Sequence, residues 1–456
     1  MICGMKMRRR WMWFSLLVLV LGCVVYFGRE KLKRALIAVS IYRAHTFTAP
    51  AASEGDSWLG RLGEEARFYW DFAAIPIERT RRLKLMEPTL KPLIDEISHR
   101  QEAGQDMQVP LHTYREIRWR LNFTPDMAMT ERRIADLRSS LAAAAVEPSQ
   151  TDDKQDEDGS WARGIDVWYL KLYYSVDSLK ACREAPAHAV RYLDRINSPA
   201  QLEALLDADL RDDFTKTGVF NREELDETFS GLARMLFTNS PVRCYNFDPR
   251  LKEALRGFVN RWQNPATGYW GQWMVDRQGK IWKMDDMAIT FHVVSDLHGE
   301  VDHLDRIAKR TLELDGVNFP AGVRFNGHYE NHLNWDVVKI LRMAWPTLDE
   351  ATRERARAEI RRMLQWCLEH SYQQDGSFQV SDLDDTAGDA YEYGANFLVE
   401  CGYFRPTDRF WTTEEFPEAK EIHDRIEAKL KATGLNDPKL RGVYEMLESS
   451  APVDTR

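Results

Sequence analysis

The sequence has no C-x-x-C pair among its six cysteines, no stripe of basic residues, and almost no stretch alternating apolar and polar residues with period two. The first absence removes the usual spacing of a structural zinc site. The second, with a net charge of −9, removes the electrostatic footprint of a nucleic-acid binder, so no nucleic-acid partner is expected. The third leaves little room for sheet and predicts an all-α protein. A chain of 456 residues, 44% hydrophobic and 29% charged, has enough apolar surface for a large core.

The amino terminus reads as a separate unit. Lys6, Arg8, Arg9 and Arg10 precede an uncharged run from Trp11 to Phe27, about the minimum length for a bilayer-crossing helix. A cleaved signal is the alternative, and Val20-Leu21-Gly22-Cys23 has the look of a lipoprotein cleavage box. The anchor reading implies a single-pass protein, placed in a bacterial inner membrane with its body exported. The basic flank after the run, Arg29 to Arg34, leaves orientation open. Cys182, Cys244, Cys367 and Cys401 fit two bridges in an oxidising compartment or four buried thiols in a reducing one.

Residues 32–147 read as a helical membrane-proximal region with breaker signals at Pro76, Pro88, Pro110 and Pro125. Residues 148–160 carry acidic residues and almost no apolar ones, the composition of a solvated linker. From there the pattern strengthens: Ile165, Trp168, Leu172, Val176 and Leu179 share one helical face. Two segments far apart are near-duplicates, TGVFNREELDETFSG around Gly218 and DGSFQVSDLDDTAGD around Gly376. Fainter copies surround Gly268 and Gly322, so the unit is about 50 to 54 residues, two helices and a loop. Such hairpins wind into a ring or solenoid, and residues 161–404 are expected to form an α/α toroid, with 405–456 a helical tail outside it.

Gln263 to Trp270 reads Q-x4-G-x-W, and Gln373 to Phe378 is a shortened variant. Both resemble the QW repeats of squalene-hopene cyclases, which belong to the terpenoid cyclase and protein prenyltransferase toroid superfamily. In physical terms the glutamine bonds backbone groups at a helix end, the glycine makes the turn, and the ring packs across it. Asp382-Leu383-Asp384-Asp385-Thr386-Ala387 resembles the D-x-D-D-T-A motif of class II terpenoid cyclases. That resemblance implies Asp384 as a general acid protonating an isoprenoid, held by Asp382 and Asp385, with Trp270, Trp273, Trp282, Trp335, Tyr391 and Tyr393 as aromatic walls. An acid of this kind needs crowding and burial to keep its proton. The bland reading makes Asp384 a helix cap, because the corresponding slot at Leu225 reads L-D-E-T.

Other residues favour a glycan. Asp385, Asp389, Glu392 and Asn396 lie on one helical face, acidic and polar. The stretch FNGHYENHLNWD from Phe325 gathers His328, Tyr329, Asn331, His332 and Trp335. Its Asn331-His332-x-x-Trp335 portion is similar to alginate lyase, which implies Asn331 on a uronate carboxylate and His332 with Tyr329 moving the proton. His328 and His332 with Asp336 are also spaced as metal ligands, although no metal or cofactor is expected. Asp285 and Asp286 match Asp384 and Asp385 in register, with His292 two turns on, and six of eleven histidines fall between 292 and 370. Three readings therefore stand: a membrane-anchored cyclase-like enzyme, a carbohydrate-active lyase or hydrolase, and a toroid that only binds.

Overall fold

In the computed structural model, residues 28–50, 57–144, 155–238, 242–381, 383–384, 386–435 and 437–451 are described. Within them the protein is mostly helical, with a single small sheet. The chain begins with α1 (Gly28–Ala44), α2 (Trp58–Phe72), α3 (Ala74–Glu102), α4 (Gln108–Phe123) and α5 (Met127–Ala144). Two short helices come next, α6 (Trp168–Tyr174) and α7 (Val176–Ala181), then α8 (Pro199–Leu210), the single turn α9 (Phe214–Thr217), α10 (Arg222–Leu236) and α11 (Leu251–Trp262). The second half holds α12 (Met287–Asp296), α13 (Leu304–Glu313), α14 (Asn331–Ala344), α15 (Glu350–Trp366), α16 (Ala387–Glu400), α17 (Ala419–Ala432) and α18 (Pro438–Ser449).

The run Trp11–Phe27 lies outside the described residues, and among those no helix is long and apolar enough to cross a membrane. The single-pass inner-membrane assignment is therefore withdrawn. α1 begins directly after that run but carries Glu30, Lys31, Lys33 and Arg34, and it packs Ala35 and Ala38 inward. Its Arg34 donates to the Trp70 carbonyl of α2 at 2.7 Å, a protein contact that a lipid-facing helix does not make.

Residues 32–147 do not stand apart from the rest of the chain. β1 (Phe47–Thr48) pairs antiparallel with β4 (Ile281–Met284), which pairs with β3 (Trp273–Val275), which pairs in parallel with β2 (Arg211–Asp212). Phe68 stacks on Trp282 with centroids 4.2 Å apart, in one apolar cluster with Phe47, Phe72, Phe214 and Met274. Pro88 and Pro92 do not break the chain; both lie inside α3. Leu90, Leu93 and Ile97 there pack on Leu111, Ile117 and Leu137 of α4 and α5, so tertiary burial outweighs the lost backbone bonds. The end of the predicted linker is also packed, with Ser160 fully buried and Asp158 paired to Lys171 at 2.7 Å.

In the helical remainder, successive neighbours are α6, α10, α12, α14, α16 and α18. A second set packs behind them: α8 against α10 and α11, α13 against α14 and α15, and α17 against α18. α4 touches the first series at two places, through the His112 ring 4.9 Å from Tyr174 of α6, its first helix, and through Arg115 3.2 Å from Asp389 of α16, its last but one. The tail after residue 405 is thus part of the helical array: Lys439 of α18 pairs with Asp389, and Trp411 is buried.

The repeat glycines mark real corners. Gln263 donates to the Gly268 carbonyl at 2.9 Å and the Asp302 carbonyl at 2.8 Å, while the Trp270 indole donates back to Val259 at 2.9 Å. Gly376 has φ +88°, and a Cβ there would lie 2.3 Å from the Arg425 carbonyl oxygen. Gly279 also has positive φ, +78°, but open space around it. Gly376→Ala is therefore expected to cost about 2 kcal/mol or more in urea unfolding, and Gly279→Ala about 1 kcal/mol, the backbone term alone. Equal losses for the two variants would contradict the close approach at Gly376.

Candidate functional site

The N-terminal halves of α10, α12, α14 and α16 bring together a dense group of buried charge. Arg222 opens α10 and is almost fully buried. Its guanidinium holds Asp286 at 2.6 and 3.1 Å, Asp226 at 3.2 Å and Glu223 at 2.7 Å. Asp286 is also the N-cap of α12, accepting from the Ile289 N–H at 3.0 Å. β4 delivers it there, since the ladder ends at Met284. Its neighbour Asp285 is taken up by Arg310 at 2.9 Å and Thr267 at 2.9 Å, a structural use.

One helical turn into α12, His292 Nδ1 lies 2.7 Å from Asp226 Oδ1. Burial opposes the imidazolium, but Asp226 outweighs it and raises the ring to about 10. Burial likewise opposes the Asp226 carboxylate, and the His292 and Arg222 cations hold it below the ordinary range. The pair is an ionised couple at neutral pH. Around it are acids in the opposite state. Burial pushes Glu227 well up, helped by repulsion from Glu223 and Asp226, and burial pushes Asp336 of α14 well up against the pull of His292 and Lys339. Glu227 Oε2 and Asp336 Oδ1 are both buried without a hydrogen-bond partner. Two carboxyls that keep their protons thus face a carboxylate that has lost its own, the split that marks acid and base roles.

His332 lies 4.0 Å from Asp336, yet the two do not form an ion pair. Burial, with the His292 and Lys439 cations, lowers His332 to about 3, so it is neutral beside a protonated acid. It stacks face to face on Tyr393 of α16 at 4.0 Å and 3°. Trp335 stands 6.2 Å from Tyr393 and 5.7 Å from Phe291, and Tyr173 of α6 neighbours Glu227 and Asp296. His292 and His332 are partly accessible, keeping 22% and 30% of their side-chain surface exposed. Side chains in that condition line a recess. Asp226 and Asp336, at 4% and 2%, form its back wall.

On α16, Asp389 completes a capping box with Thr386 and pairs with Lys439 at 2.5 Å and Arg115 at 3.2 Å. Glu392 pairs with Lys439 at 2.6 Å. These two acids bind α16 to α18 and α4 and make one polar margin of the recess. Asp384 lies two residues before the Thr386 cap, where the Ser381 N–H donates to its Oδ2 at 2.7 Å. Burial and the nearby Glu330 push its carboxyl up to about 7, and its Oδ1 is buried and unpartnered. Asp382 and Asp385 lie outside the described residues.

Several expected site residues are elsewhere. Trp270 and Tyr391 are buried in the core, and Asn331 donates to the Ser371 hydroxyl at 2.7 Å. Tyr329 hydrogen-bonds Glu359 at 3.2 Å under the Arg324 guanidinium, while His328 is exposed. His328, Tyr329 and His332 therefore do not converge, and His328 is no metal partner for His332. Asp226 and Asp384 are not equivalent despite their shared spacing from glycine: Asp226 is the fifth residue of α10, whereas Asp384 precedes its helix. Glu227 and Arg222 escaped the sequence reading, although the spacing of Glu223, Asp226 and Glu227 signals an acidic helix face. Comparison with known proteins gives no matching family model, no matching curated protein and no matching solved structure.

The His292 ring, raised above its unfolded value, contributes stability that is complete below about pH 6.5 and is lost as pH rises through about 10. NMR of the imidazole is expected to show no titration between about pH 6 and 8, and Asp226→Asn to bring a titration into that window. A wild-type midpoint near 6.5 would contradict the ion pair.

Proposed function

We propose that the chain is a carbohydrate-active enzyme on an α/α toroid, and that it hydrolyses a glycosidic bond in the recess between α10, α12, α14 and α16. The order of helix neighbours, one series backed by another and bridged by α4 from α6 to α16, supports the toroid. The observation that carries the activity is the protonation split: Glu227 and Asp336 neutral, Asp226 ionised against His292. Glycoside hydrolysis needs a carboxylic acid to protonate the leaving oxygen and a carboxylate to activate water or stabilise the developing cation.

Glu227 is the proton donor in this reading, since its residue remains partly accessible while its like-charged neighbours keep the proton on. Asp226 is the carboxylate partner, and Asp336 is a second neutral acid on the facing wall. Trp335 and Tyr393 are the stacking surfaces for a sugar ring, and His332, neutral and partly accessible, is a hydroxyl partner. A polar, charge-lined recess solvates hydroxyl groups and ill suits a hydrocarbon. The lyase form of this reading loses support, because Tyr329 is committed to Glu359 and Arg324.

One observation favours a second reading: Asp384, raised to about 7, is an acid of the kind an isoprenoid cyclase requires. Glycan and isoprenoid panels read by mass spectrometry separate the two. On the glycan turned over, Glu227→Gln is expected to lower kcat by about 100-fold or more and Asp384→Asn by no more than a few-fold. Wild-type turnover by Glu227→Gln would overturn the assignment, and an isoprenoid product lost in Asp384→Asn would establish the second reading instead.

A further inference from the structure

The recess does not use any cysteine, yet two of the chain's thiols are neighbours. Cys182 closes α7, its N–H donating to the Ser178 carbonyl. Cys244 comes after α10, and its Sγ rests 3.8 Å from the carbonyl of Leu179, in the last turn of the helix that Cys182 caps. There the Cys244 thiol neighbours that of Cys182, whose Sγ lies 3.3 Å from the Glu184 carbonyl. Both residues are half-buried, so a small thiol reagent reaches them, whereas Cys367 and Cys401 are fully buried. The two positions are 62 apart in the chain, and between them lies α10 with Arg222, Asp226 and Glu227.

We propose that Cys182 and Cys244 are an oxidation site that closes to an intramolecular disulfide and clamps the segment bearing α10. A low-molecular-weight disulfide such as oxidised glutathione is the oxidant. One protein thiolate attacks it, forming a protein–glutathione disulfide and releasing one glutathione. The second protein thiolate then displaces the other glutathione. The sum is two thiols oxidised to one disulfide and one glutathione disulfide reduced to two thiols, with each thiol proton ending on a glutathione. Burial and the adjacent Cys182 thiol hold Cys244 up at about 12, so Cys182 takes the first step and Cys244 the second. Closing a loop of this length restricts the unfolded chain and stabilises the fold.

The test uses the full chain, reduced, then equilibrated with oxidised glutathione, alkylated and digested without reductant. A peptide linking Cys182 to Cys244 is expected as the main cross-linked species, with Tm raised by roughly 5 °C. Cys244→Ser is expected to stop at glutathione on Cys182, and Cys182→Ser to leave Cys244 largely unmodified. Glutathione on both cysteines of the wild-type chain without an internal link, or a link from either to another cysteine, would overturn the proposal. So would a linked product whose Tm is unchanged.

Discussion

The buried Arg222 guanidinium is the constraint on which the rest of the site depends. It sits at the start of α10 and grips Asp286, the residue that caps α12, so it sets the spacing of two helices with a single planar group. A fork of donors suits that task where a lysine would not. Against burial, the His292 cation and then the Arg222 cation keep Asp226 ionised, and Asp226 in turn keeps His292 charged. Removing Arg222 leaves Asp286 buried without its counter-charge, a loss of about 3 to 5 kcal/mol for couples of this kind. The polar centre therefore stands or falls as a unit.

This arrangement produces the contrast that gives the recess its chemistry. Burial outweighs the pull of His292 on both Glu227 and Asp336, with like-charged neighbours adding to it, so both keep their protons. Burial, with the His292 and Lys439 cations, pushes His332 to its neutral form, where it stacks on Tyr393. Asp226 and His292 are thus ionised and Glu227, Asp336 and His332 neutral in one small volume, each state set by its neighbours. Behind them, Phe229, Phe258, Trp262 and Val337 belong to one apolar cluster that fixes the helices. On the far side the Lys439 pairs with Asp389 and Glu392 fix α16 to the last helix.

Much of the helical character and the glycine corners was legible in the sequence, because both rest on local rules: periodicity of apolar residues, and turns that only glycine fits closely. His292, His332, Trp335 and Tyr393 were also legible as candidates, since histidine and aromatic clustering is visible without coordinates. The partners were not. Arg222 and Asp286 are 64 positions apart and His292 and Asp226 are 66 apart, and no local pattern reports a meeting at that separation. Spacing from a glycine misled at Asp226, because a cap and a residue one turn inside a helix lie only a few positions apart. The prolines of α3 misled for the opposite reason: a strong local signal was overruled by packing against α4 and α5.

The chemistry of the recess turns on neutral acids beside an ionised pair, and carbon-13 NMR of the carboxyl groups reads that directly. With Glu227 and Asp226 assigned by substitution, Glu227 is expected to be still protonated at about pH 7 and Asp226 to ionise well below the ordinary aspartate range. Glu227 titrating near 4.3, as a solvated glutamate does, would contradict the protonation split.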